Sequence, residues 1–202
     1  MAVPYDRLHR WLEPRFLRGT RPWLTSRTTG RVLEVAVGTG LTLPHYPAEA
    51  DLVGLDASRR MLRVARRRAD ALGREMELRH GDAHDLPWPD SSFDAVVCVF
   101  GLCAVADPHR AVGEMGRVLR PGGLLLLADH VPSTRRSLLA VQTAMDAVSV
   151  PLAGEHWRRR QLPLVEAMGF AVEAHDRFLH GVVERVAARR PVAGRQPGTP
   201  LG

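Results

Sequence analysis

The sequence predicts an α/β fold: a mostly parallel sheet of seven strands, one of them antiparallel, with helices on both faces. Three observations carry this. Short β-rich apolar runs alternate with segments of helical spacing, the pattern of a parallel sheet with crossover helices. The alternation holds from residue 31 to about residue 168. Two apolar runs then follow one another around Gly181 with no helix between them, which places an antiparallel pair at the end of the chain.

Residues 1–28 carry Trp11, Phe16 and Trp23 among arginines and prolines, and read as one or two short amphipathic helices. Strands are expected at 31–37, 51–55, 75–79, 93–99 and 124–131. Between them, 58–72 reads as a helix with Ser58 as N-cap and Gly73 as its stop. Residues 81–92, with two prolines and three aspartates, read as a loop. A helix at 108–119 is stopped by Arg120-Pro-Gly-Gly123. Further helices are expected at 135–148, broken by Pro151, and at 155–168, with Pro163 as a kink or break and Gly169 as C-cap. The closing strands are 170–178 and 182–187, and the Pro/Gly/Arg-rich residues 191–202 read as a disordered tail. This gives one domain over residues 1–190, with 1–28 as a helical lid.

A chain of 202 residues that is 45% apolar can bury a substantial core. No run approaches the ~18 apolar residues of a membrane span. No basic cap followed by an apolar core opens the chain, so the cytoplasm is the expected compartment. Cys98 and Cys103 make neither a disulfide framework nor a metal box. The net charge is +6, yet all 28 basic residues are arginine, and lysine, isoleucine and asparagine are absent. Those three have AT-rich codons, which points to a GC-rich bacterial genome and weakens any reading of the charge as a nucleic-acid footprint. No aromatics interleave the basic stretches, so nucleic acid is not an expected partner.

Two motifs carry chemistry. Glu34-Val-Ala-Val-Gly38-Thr-Gly40 lies on the first strand and the turn after it, where glycines let a ligand approach the backbone. Asp56 ends the second strand, 22 residues after Glu34, where a carboxylate can accept from both hydroxyls of a ribose. A dinucleotide fold wants a third glycine where this chain has Leu43-Pro44, so a phosphate-free nucleoside cofactor, S-adenosylmethionine, fits better than NAD.

Four stretches in order, VLEVAVGTG at 32–40, LVGLDAS at 52–58, GDAHDLPWPDSSFDAVV at 81–97 and VLRPGGLLLLADH at 118–130, resemble the class I S-adenosylmethionine-dependent methyltransferases. The likeness is greatest to the methyltransferase type 11 group, which includes quinone- and lipid-headgroup-modifying enzymes. The resemblance implies a Rossmann-like sheet. It places Gly38 and Gly40 against the methionine part of the cofactor, Asp56 on the ribose, Asp82 on the adenine amino group and Ala83 beside the ring. Val99, Phe100 and Leu102 would line the sulfonium end, and Glu34, Val37, Thr39, Ala57 and Met61 would complete the cofactor wall. Ala36 stands where the family usually has glycine, and is expected to be tolerated because alanine allows strand dihedrals. Segments at 102–105, 129–131 and 154–157 are similar to a branch that methylates thiols or phosphatidylethanolamine-type amines.

Methyl transfer displaces a neutral thioether, so no acid is needed, and a base is needed only where the acceptor arrives protonated. His130, after the fifth strand, and His156, on the same rim of the sheet, are the candidate catalytic residues. The leading expectation is methyl transfer to a small molecule or lipid headgroup. The alternatives are a dinucleotide-dependent oxidoreductase and an S-adenosylmethionine-binding accessory or regulatory protein without turnover.

Overall fold

The computed structural model describes Leu17, residues 19–153 and residues 156–192. In chain order the elements are α1 (Thr20–Thr25), β1 (Arg31–Val35), β2 (Asp51–Asp56), α2 (Arg59–Ala71), β3 (Glu77–His80), β4 (Phe93–Val99), α3 (Pro108–Val118), β5 (Leu119–His130), α4 (Arg136–Ala153), α5 (Leu162–Ala167), β6 (Ala171–Phe178) and β7 (Val183–Arg189). Short 3-10 turns sit at Leu43–His45 and Leu102–Ala104. The seven strands form one sheet in the order β3-β2-β1-β4-β5-β7-β6, and β7 alone runs opposite to the rest.

Side chains alternate across the sheet. Leu125 and Leu127 of β5 pack on one face with Val112, Met115 and Val118 of α3 and Val165 of α5. Leu126 and Ala128 pack on the other with Leu24 of α1 and Ala69 of α2. Helices therefore cover both faces, as expected. The expected caps form: the Met61 N–H donates to Ser58 Oγ at 3.3 Å, and Gly73 takes a φ of 60° beyond the C-terminus of α2.

Three boundaries differ most from expectation. The stop expected at residues 120–123 is the start of β5 itself. Phe93 pairs with Leu119 and Ala95 with Leu124, so the intervening residues bulge out of register. Gly123 makes this approach feasible, since a Cβ there would lie 3.0 Å from the Asp94 carbonyl oxygen. Helix α4 runs on through Pro151 to Ala153, because a proline in the final turn forfeits only one helical hydrogen bond. Pro163 opens α5 and does not kink a longer helix, being in the first turn where an N–H has no helical partner. Residues 156–161 are drawn out of a helix by other partners. The His156 N–H donates to the Cys103 carbonyl at 2.8 Å, the Trp157 N–H to Asp146 at 2.8 Å and the Gln161 N–H to Glu184 at 3.1 Å.

Of the segment expected to form a lid, residues 1–16 and 18 lie outside the described residues, as does the tail from 193 to 202. The described part packs on the sheet: Leu24, Thr20 and Thr25 are fully buried. No helix among the described residues is long and apolar enough to cross a membrane.

Candidate cofactor site

The C-terminal ends of β1, β2, β3 and β4 open into a cavity of about 470 Å³. It lies where the strand order reverses between β1 and β4, the place at which open α/β sheets bind ligands. Its size suits a small organic ligand. Glu34, Ala36, Val37, Gly38 and Thr39 line it from the first turn. Asp56, Ala57 and Met61 line it from the second, Asp82 and Ala83 from the third, and Val99 and Phe100 from the fourth.

Asp56 is fixed from two sides. The Gly38 N–H donates to Oδ2 and the Ser58 N–H to Oδ1, each at 2.8 Å. Each oxygen keeps a further lone pair, so the carboxylate can still accept from two hydroxyls. Gly38 adopts a φ of 58°, which favours glycine.

Asp82 is held by its neighbour His84, which sequence reasoning passed over. Asp82 Oδ1 accepts the His84 N–H at 2.9 Å and lies 2.6 Å from His84 Nδ1. The Asp107 N–H donates to His84 Nε2 at 3.0 Å. Nε2 is therefore an acceptor, and the ring proton sits on Nδ1 and is given to Asp82. The His84 backbone N–H, helped by this ring bond, keeps the Asp82 carboxyl below the usual carboxylate range.

Glu34 forms a buried acidic floor. It is 3% exposed, and its Oε2 has no hydrogen-bond partner among the described residues. Burial pushes its carboxyl up to about 7, against the opposing pull of the Thr42 hydroxyl and the Arg21 charge. A buried acid in the wall of a cavity is suited to a cationic ligand.

The dihedral expectation for Ala36 is corrected. Ala36 does not keep strand geometry: its φ is 57°, in the left-handed region. A side chain there costs ~1–2 kcal/mol, which explains why glycine is the family's usual choice. The Ala36 methyl is accommodated by Gly101, since a Cβ on Gly101 would approach it to 2.6 Å. Ala36→Gly is expected to stabilise the cofactor-free protein by roughly 0.5–1 kcal/mol, the released strain less glycine's greater unfolded entropy. A urea unfolding midpoint that fails to rise would show that the turn absorbs the methyl without strain.

Gly40 and Leu102 stand apart from the cavity wall. A Cβ on Gly40 would meet the Leu43 side chain at 2.8 Å, so this glycine serves a tight turn. Leu102 is buried and borders a separate small void with Cys103, Asp129 and His130. His130 is stacked between Phe100 and Trp157, with ring centroids at 4.9 Å and 4.5 Å. It thus sits one ring behind the cavity. His156 borders another depression, with Asp146 and Arg158.

The donor atoms of Cys103, Asp129 and His130 come within 4.8 Å of one another. Both Asp129 oxygens already accept backbone N–H groups, from Cys103 at 2.8 Å and His130 at 2.7 Å. The carboxylate therefore ties the loop after β4 to the end of β5. Burial pushes the Cys98 thiol well above its ordinary range, which leaves it an apolar core residue. Arg21 also lines the cavity, donating to Thr42 Oγ1 at 2.6 Å, with its guanidinium 5.8 Å from the Phe100 ring. Nothing in the local sequence marks Arg21; it reaches the cavity because α1 packs against β4 and β5.

The sheet and its site thus define a Rossmann-like α/β protein with a ligand-sized cavity at its switch point. Comparison with known proteins places it further. Residues 33–127 match the family described as a methyltransferase domain. A phosphatidylethanolamine N-methyltransferase of Cereibacter sphaeroides is 44% identical over 118 residues, which are 57% of this chain and 58% of that protein. A demethylmenaquinone methyltransferase of Clavibacter sepedonicus is 33% identical over 192 residues, which cover 81% of this chain and 78% of that one. The solved structure of an S-adenosylmethionine-dependent methyltransferase from Aquifex aeolicus shares the fold at a TM-score of 0.67, with 17% identity over 94% of this chain and 98% of its own. The chain belongs to the S-adenosylmethionine-dependent methyltransferase family. It spans 58–63% of the length of several of its curated relatives.

Proposed function

We propose that this chain is a cytoplasmic enzyme that binds S-adenosylmethionine in the cavity above β1, β2 and β4 and transfers its methyl group to a lipid headgroup or quinone acceptor. The observation that carries the cofactor half is Asp56, pinned by two backbone N–H groups with lone pairs left for a ribose. Relatives named for phosphatidylethanolamine and demethylmenaquinone support the acceptor class.

When bound, the cofactor supplies an electrophilic methyl on a cationic sulfur with a neutral leaving group. The chain's task is to orient and to exclude water. Asp56 holds the ribose and Asp82 takes the adenine amino group, while Glu34 balances the ligand's positive charge. Val99 and Phe100 keep the sulfonium end dry. Phe100 is held at a φ of 54°, and its N–H donates to the Ala128 carbonyl at 2.7 Å. Neither candidate histidine lines the cavity; His130 comes nearer, packed behind Phe100. The test is direct: calorimetry with S-adenosylmethionine against NAD, then radiolabelled methyl transfer to phosphatidylethanolamine vesicles and to a demethylmenaquinone. Preference for NAD, or cofactor binding with no transfer to either lipid class, would overturn the reading.

Glu34 makes the affinity pH-dependent. In the cofactor-free protein its carboxyl titrates near 7, while in the unfolded chain it titrates near 4.5. Between these values the folded state holds the extra proton, so this group's contribution to stability falls as pH rises and levels off above about 7. A cation beside Glu34 favours the carboxylate instead, and binding then expels the proton. Affinity for S-adenosylmethionine is expected to rise about tenfold from pH 6 to pH 8 through this group. Glu34→Gln, measured alongside to subtract the ligand's own titration, is expected to lose that component. Equal pH slopes in the two proteins would remove Glu34 from the ligand's side.

A further inference from the structure

Helix α4 is inverted with respect to an ordinary surface helix, which buries its apolar stripe and exposes its polar one. Val141, Met145 and Val148, spaced along one face, are 56%, 40% and 60% exposed. They are three of the six large apolar side chains exposed among the described residues. Gln142 and Asp146 point inward and are buried.

The orientation is locked by hydrogen bonds. The Gln142 amide donates to the Val131 carbonyl at 2.8 Å and accepts the Ser133 N–H at 2.7 Å. Asp146 accepts the Trp157 N–H at 2.8 Å and Arg158 Nε at 2.6 Å. Turning the helix to bury the stripe would strand these groups without partners, at a cost of ~1–3 kcal/mol each. A contiguous exposed apolar face held by a polar anchor marks an interaction surface.

Two further features select the occupant. Arg135 and Arg136, at the start of α4, are exposed, and their side chains make no ion pair or hydrogen bond among the described residues. The chain as a whole carries a net charge of +6. An apolar helix face with unpaired cations at its N-terminal end suits the interface of an anionic bilayer. The helix also leaves β5 at the C-terminal rim of the sheet, the rim that carries the cofactor cavity.

We propose that the Val141–Met145–Val148 face of α4, with Arg135 and Arg136, docks this chain on an anionic lipid surface. The proposal rests on the lipid-acceptor reading above, and it gives such an acceptor a way to reach the cavity without leaving its membrane.

The experiment is flotation of the full chain with vesicles of phosphatidylcholine, with and without phosphatidylglycerol. Wild type is expected to float with the anionic vesicles. Val141→Glu with Val148→Glu is expected to weaken that binding at least about tenfold, since each valine loses an apolar environment. Arg135→Ala and Arg136→Ala are each expected to weaken it about fivefold on anionic vesicles and to leave neutral vesicles unaffected. Affinity for S-adenosylmethionine, measured in solution, is expected to be unchanged in all of them. Failure of the cofactor reading would therefore appear in wild type and variants alike, without touching the vesicle result. Equal flotation of wild type and the glutamate variant overturns the proposal. So does a lowered unfolding midpoint of that variant, which would mean that the chain covers this face itself. A wild-type oligomer that the glutamate variant dissolves, with no vesicle binding, overturns it in favour of a second copy of the chain.

Discussion

Gly38→Val is expected to weaken S-adenosylmethionine binding by about a hundredfold or more while the domain stays folded. Two features of the residue combine. Its φ of 58° lies where an L-residue costs ~1–2 kcal/mol and a β-branched one is worse. A Cβ built there meets only the Ala36 carbonyl oxygen, at 3.9 Å. The new side chain thus crowds no core packing; it projects from a residue that lines the cavity. The same residue's N–H holds Asp56 Oδ2, so a shift of the turn also misaims the carboxylate. Calorimetry reads the lost affinity, and a thermal melt shows whether the fold survives. Gly38→Ala is expected to fall between wild type and valine, since it adds one methyl without branching. A valine variant that binds tightly would reduce the motif to a structural turn.

How far the sequence alone led depends on the range of the interaction that decides each element. The strands, the caps at Ser58 and Gly73 and the antiparallel last pair follow from periodicity and local turn chemistry. Most of the cavity wall follows likewise, because Gly38, Asp56 and Asp82 each lie within a short recognisable string. Long-range partners account for the misses. The bulged start of β5 needs the neighbouring strand at Asp94 to make sense of its two glycines. The helix expected from residue 155 gives way because Glu184, from β7, accepts the Gln161 and Leu162 N–H groups at 3.1 Å and 3.2 Å and so sets where α5 begins. Arg21 and His84 join the cavity through contacts made far along the chain, with Thr42 and Asp107. The outward face of α4 is set the same way: spacing marks an apolar stripe at Val141, Met145 and Val148, and only the hydrogen bonds of Gln142 and Asp146 show which side faces inward.

Asp56→Ala is expected to lower S-adenosylmethionine affinity by about 3 kcal/mol, roughly 150-fold. Two losses add. The ribose hydroxyls lose a charged acceptor, and the Gly38 and Ser58 N–H groups lose the oxygens that hold them at 2.8 Å, which loosens both turns facing the ligand. Asp56→Asn is expected to fall between, because its single carbonyl oxygen can satisfy one N–H while its amide nitrogen faces the other donor. Affinity alone does not separate a ligand contact from a purely structural anchor. A cofactor analogue lacking both ribose hydroxyls does, in a cycle of two ligands and two proteins. If Asp56 holds the ribose, the analogue binds wild type more weakly than S-adenosylmethionine does, and the two ligands bind Asp56→Ala alike. If Asp56 only braces the turns, removing the hydroxyls changes affinity by the same factor in both proteins, and the ribose contact has to be sought elsewhere on the cavity wall.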